Sequence, residues 1–182
     1  MEPYLPENIR HQIINNYARW CAFSSTRSGC PIKKREAVYP LIDLPDYSII
    51  LKGVEPIAKD EFNEWHEKNS QLLNDSCSEI CIGWCTKLIN VYLKTIVYVG
   101  SLGRPGLSDC IHPPIDGGLW QGIKEKYKER SEIISLTHCV SKIKDITHYK
   151  IYKQLIVGME LVAKAEKSSL LEVEKLWKGT EI

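Results

Sequence analysis

An all-α fold, mainly helical, is what this sequence predicts, and three observations carry the prediction. Apolar residues recur at three- and four-residue spacing over most of the chain, the only strand-like runs are short, and several periodic stretches open on residues that cap helices. At 182 residues the length suits a single helical domain spanning 1-182, long enough to bury one proper core.

The first helix is expected from Glu7 to about Phe23, with Ile9, Ile13, Tyr17, Trp20 and Cys21 on one face. "SSTRSGCPIKKRE" follows as a polar loop holding Arg27, Lys33, Lys34 and Arg35, the most basic short segment. In "YPLIDLPDYSIILKG" two prolines break helical spacing, and "YSIILK" reads as a short strand or an extended connection. A second helix fits Ala58 to Leu73, with Phe62, Trp65, Asn69 and Leu72 or Leu73 pointing inward. Helical spacing returns from Ser78 to about Val99, with Gly83 as the point where that stretch splits into a short helix and a longer one. "GSLGRPGLSDCIHPP" is a long loop of the kind that often carries function, and "IDGGLWQGIKEKYKER" is a helix begun by Asp116. "SEIISLTHCVSKIKD" makes a short helix, "THYKIYKQLIVGMELVAKAEK" a long one opened by Thr147, and "SSLLEVEKLWKG" a last short one. In that last unit Ser168 or Ser169 caps, and Glu172 completes a capping box with Ser169. No internal repeat and no low-complexity segment interrupts the series.

Composition narrows the function classes. Apolar residues make up 43% and charged residues 26%, the balance of a folded globular chain. A formal charge of +1 gives no long-range field, so any nucleic-acid surface has to be a local patch. Lys87 and Lys94 interrupt the best candidate for a membrane span, and "MEPYLPENIR" lacks the basic start and apolar centre of a signal peptide, so a soluble, intracellular protein (cytoplasm or nucleoid) without a membrane partner is expected. Seven scattered cysteines suit a reducing compartment and are expected as thiols.

Three constellations bear on chemistry. Cys77, Cys81 and Cys85 would share one face of an unbroken helix, but metal and cluster motifs usually use two-residue gaps, and buried cysteine is by default a small hydrophobe. The five histidines show no ligand pairing, and GxSxG, GxxxxGK[ST] and GxGxxG are absent. Lysine and carboxylate chemistry remains. Lys87 opens the apolar run "LINVYL" beside Trp84; desolvation there would raise the fraction of free amine, a nucleophile able to form a Schiff base with a sugar carbon, whereas the bland alternative is a solvated first-turn lysine. Asp116 is a natural helix N-cap, and the same position sets a carboxylate at the lip of a pocket.

"GWCTKLINVYL" resembles the helix-hairpin-helix DNA glycosylases, the endonuclease III and oxoguanine glycosylase group, whose pattern is G-x-G-x-K-T-A-N-V-x-L. Gly83, Lys87, Asn90, Val91 and Leu93 fall in step with it, and Asp116 in "HPPIDGGLWQGI" stands where that group has its catalytic aspartate at the start of the next helix. The likeness covers roughly residues 80-124. Cys85 replaces the second hairpin glycine, Gly117 and Gly118 replace a threonine and a histidine, and the gap from Lys87 to Asp116 is longer than usual, which is nearest the archaeal oxoguanine glycosylase branch. The four-cysteine cluster loop is missing from the C-terminal region, so no iron–sulfur cluster, metal or other cofactor is expected.

The resemblance implies a compact glycosylase-like domain with an atypical hairpin, acting as a monomer on double-stranded DNA that holds a damaged or modified base. Lys87 and Asp116 would be catalytic. Trp84, Tyr92, His112 and Trp120 would wall the flipped base. Arg27, Lys33, Lys34, Arg35, Gly83 and Arg104 would meet DNA phosphates. Two other classes stand beside this expectation: a non-catalytic helical module that binds DNA or protein, and a metal or redox protein built on the three thiols.

Overall fold

The computed structural model describes residues 8–27 and 29–179 and is helical throughout, without a strand among the described residues. Its axis is α5, Ile82–Leu93, in which all twelve residues are buried. Apolar residues occupy every side of this helix, so it has no solvent face and other helices must surround it. It runs on into a π-helical turn, Lys94–Val99, closed by the Gly100 amide donating to the Thr95 carbonyl at 2.9 Å. Around it pack α1 (Ile9–Ser24), α2 (Arg35–Ile42), α4 (Lys59–Ser76) and α9 (Tyr149–Glu166).

Two hydrophobic clusters meet at α5. One gathers α1, α2, the one-turn α3 (Ser48–Leu51), α4, most of α5 and the one-turn α6 (Leu107–Cys110); the other gathers α7 (Gly117–Tyr127), α8 (Ser131–Thr137) and α9. Ile143, in the 3₁₀ turn Ile143–Asp145, packs against both. A final 3₁₀ turn, Leu171–Leu176, leads into the extended residue Trp177.

The expected all-α fold is what the structure has, with local differences. The Ile9, Ile13, Tyr17 and Trp20 stripe of α1 faces outward, at 75, 64, 54 and 49% exposure. The helix is buried instead through Ala18 and Ala22, small side chains suited to close approach of a neighbouring backbone. Glu7, its expected first residue, lies outside the described residues. "YSIILK" is the helical turn α3 rather than a strand, since Asp46 accepts from the Ser48 amide at 3.1 Å and starts a turn. Residues 77–81 form a turn, and α5 begins before Gly83, not after it. Gly83 donates its amide to the Ile146 carbonyl at 3.0 Å, and a Cβ there would stand 2.3 Å from the Ile143 carbonyl oxygen. The long helix α9 starts after His148 rather than at Thr147. The capping box is present: Ser169 N donates to Glu172 Oε2 at 2.9 Å and Glu172 N to Ser169 Oγ at 3.4 Å.

Candidate active site

Lys87 projects from the second turn of a helix with no exposed side, which is why a lysine is found inside the protein: the residue is 6% exposed. A buried ammonium needs a partner, and the structure supplies one. Lys87 Nζ donates to Asp116 Oδ2 at 3.2 Å, and the Trp84 ring centre lies 5.4 Å from the same nitrogen. Asp116 is the N-cap of α7, its Oδ1 accepting from the Leu119 amide at 3.2 Å. The same oxygen accepts from Trp177 Nε1 at 2.9 Å. A carboxylate 29 residues from its lysine and 61 from its indole thus ties three elements together.

A chain of buried polar groups holds the loop that carries Asp116. Asn90, one turn beyond Lys87, donates through Nδ2 to the Pro113 carbonyl at 3.2 Å and to Tyr152 Oη at 2.8 Å, while its Oδ1 meets His66 Nε2 at 2.8 Å. His66 Nδ1 meets Tyr149 Oη at 2.7 Å, His112 Nδ1 meets Tyr152 Oη at 3.0 Å, and His112 Nε2 meets Asn63 Oδ1 at 3.1 Å. Burial holds His66 down at about 4 despite the Asn90 contact, and burial with the neighbouring His66 and Lys59 charges holds His112 well below the ordinary histidine value. Burial also pushes both tyrosine hydroxyls up, so all four groups are neutral near pH 7. Asn63, His112, Tyr149 and Tyr152 line one side of a cavity of about 200 Å³.

The sequence-derived site residues divide. Lys87, Asp116 and Trp84 come together. Tyr92 lies in the first cluster, its ring 4.3 Å from that of Tyr47 and its hydroxyl donating to Asn15 Oδ1 at 2.6 Å, because it projects from another side of α5. Trp120 is core, with Nε1 donating to the Thr137 carbonyl at 2.7 Å, and His112 belongs to the buried chain just described.

Of the expected phosphate contacts, Lys33, Lys34 and Arg35 are exposed, and Arg35 stacks over the Tyr39 ring at 4.7 Å. Arg27 ends a 3₁₀ turn, and its side chain lies outside the described residues. Arg104 is committed elsewhere, bonding the carbonyls of Glu55, Pro56 and Ile49 and pairing with Glu61, so it stitches loops instead of facing solvent. The Gly83 amide is likewise taken by Ile146 and is closed to a phosphate.

Cys77, Cys81 and Cys85 do not share a helix face: Cys77 ends α4, Cys81 precedes α5 and donates to the Ile143 carbonyl at 3.3 Å, and Cys85 is buried, its thiol pushed up mainly by that burial. Among the described residues no group of three or more His, Cys, Asp and Glu is arranged to hold a metal ion, and no helix is long and apolar enough to cross a membrane.

Sequence spacing missed Trp177 and the Asn90–histidine chain. Their signals were a lone amide inside an apolar helix and a tryptophan at the end of a polar segment. Compared with family models, with curated proteins and with solved structures, the chain matches none.

Proposed function

We propose that the protein is a glycosylase of double-stranded DNA that releases a damaged or modified base, with Lys87 as nucleophile and Asp116 as its proton acceptor. The observation that carries this reading is the buried ion pair itself: an amine at the centre of the fold, 3.2 Å from a carboxylate that caps the next long helix. Asp116 Oδ2 is within reach to take a proton from the ammonium, which frees the lone pair. Lys87 Nζ then bonds to the sugar C1′ as the C1′–N bond breaks, and the base leaves with that electron pair and picks up a proton. Opening of the C1′–O4′ bond gives a Schiff base between Lys87 and the sugar. Loss of a C2′ proton from it expels the 3′ phosphate, which is the lyase step. The target nucleotide has to leave the duplex to reach so buried an amine. Lys33, Lys34 and Arg35 are the exposed cations of this reading, and their contribution to DNA affinity falls as salt rises.

The test is borohydride trapping on duplexes containing an abasic site or a series of oxidised and modified bases. The expected result is a covalent adduct on a denaturing gel that the Lys87→Ala variant does not form. No adduct with any duplex, or an equal yield from Lys87→Ala, overturns the lysine mechanism.

One observation favours a second reading, a non-catalytic helical binding module. Asp116 is engaged through both oxygens, as an ion-pair partner, a helix cap and an indole acceptor, which suits a structural pin. Duplex binding by the Lys87→Met variant at wild-type affinity, with no base release by either protein, would select that reading.

A further inference from the structure

Trp177 is 37% exposed, yet its ring N–H is spent on the carboxylate that partners the buried lysine. The segment that carries it, residues 176–179, begins at the last residue of the final 3₁₀ turn and lies along the start of α7. Glycines make that seat. A Cβ on Gly118 would stand 2.5 Å from Trp177 Nε1, and one on Gly122 would stand 1.6 Å from the Leu176 carbonyl oxygen. The Lys178 amide donates to the Gly118 carbonyl at 3.2 Å. Residues 176–178 line a hollow of about 320 Å³ together with Gly122 and Lys126, and Lys175, just before them, borders both this hollow and a second of about 610 Å³ bounded by Lys94, Leu171 and Glu174. Lys87 lines neither of them.

A flat heteroaromatic ring that gives an N–H to the partner of the candidate nucleophile is chemically the same kind of object as a nucleobase. We propose that Trp177 holds the place of the substrate's base: the 176–179 segment is a strap that covers Lys87 and Asp116, and an incoming planar heterocycle with a ring N–H displaces the indole from Asp116. This rests on the base-excision reading for the identity of the heterocycle, but not for the cover.

The cover is tested without DNA. Native protein is treated with propionaldehyde and cyanoborohydride, and alkylation at each lysine is followed by peptide mass spectrometry, with the exposed Lys68 as internal reference. Relative to Lys68, Lys87 is expected to react at least tenfold faster in Trp177→Ala and in Gly118→Ala, which dislodges the indole without altering it. Indole, and at least one free nucleobase from a panel including adenine, uracil and oxidised guanine, is expected to restore protection in Trp177→Ala. Unchanged Lys87 reactivity in both variants overturns the proposal, whatever any duplex does. Rescue by indole but by no nucleobase overturns the assignment of the heterocycle. Faster Lys87 labelling in a protein that traps no duplex upholds the cover and overturns the base-excision reading. If Trp177→Ala raises every lysine together, it has lost its fold, and Gly118→Ala decides.

Discussion

Asp116 joins the cap of α7, the charge of Lys87 and the indole of Trp177 in one side chain, so its substitutions should separate those roles. Asp116→Asn keeps an oxygen for Leu119 N and Trp177 Nε1 but sets an NH₂ against the Lys87 ammonium, so the buried charge is stranded at a cost on the order of 3 kcal/mol. Asp116→Ala strands the same ammonium and also loses the indole acceptor and the helix cap, the cap costing about 1 kcal/mol more. Urea midpoints should therefore fall in both variants, and further in the alanine variant by about the worth of the cap. The Lys87→Met/Asp116→Asn double variant should recover most of the lost stability, because a buried ion pair replaced by a neutral pair of similar volume is often no less stable. A double variant as unstable as Asp116→Ala would show that the pair itself holds the helices together.

Between elements, the contact that sets the start of α5 is Gly83 against the 143–146 turn. Gly83→Ala would drive a Cβ into the Ile143 carbonyl, and the expected loss is about 2 kcal/mol or more, read as a drop in the thermal midpoint, because carbonyl and helix cannot both yield. The element level is also where sequence reading succeeded and failed for identifiable reasons. Asp116 and the Ser169–Glu172 box were legible because a cap is a local event, complete within four residues. So was the inward stripe of α4, through Phe62, Trp65, Asn69 and Leu73. The α1 stripe misled because periodicity locates an apolar line without saying what covers it, and two alanines offered a tighter seat on the opposite side. At the site, Lys87 and Asp116 stood out through the resemblance to the glycosylase pattern, and the structure sets the two side chains 3.2 Å apart. Trp177, 61 residues from Asp116, depends on a return of the chain that no local pattern encodes.

For the molecule as a whole, acid is the condition to which this interior is most exposed. His66 titrates near 6.5 when unfolded and about 4 when folded, and His112 shifts in the same direction. Between those values the unfolded chain takes up protons that the folded chain refuses, so stability is intact above pH 6.5 and declines as pH falls toward 4. His66 alone accounts for about 3 kcal/mol over that window. Urea midpoints at pH 7.5, 6 and 5 should show the decline, and a flat profile would mean that the imidazoles are hydrated. The neutral network also has a direction. A proline carbonyl can only accept, so Pro113 obliges Asn90 to turn its NH₂ toward it and its oxygen toward His66. His66 must then hold its proton on Nε2 and accept from the Tyr149 hydroxyl at Nδ1; Tyr152, with the Asn90 NH₂ donating to its oxygen, donates its hydroxyl to His112 Nδ1, and His112 donates from Nε2 to Asn63. One carbonyl on the Asp116 loop thus selects the tautomers of two imidazoles on other elements. Nitrogen NMR of the imidazoles in isotope-enriched protein would read the position of that loop as a tautomer ratio, a reporter of motion at the site that needs no attached probe and no substrate.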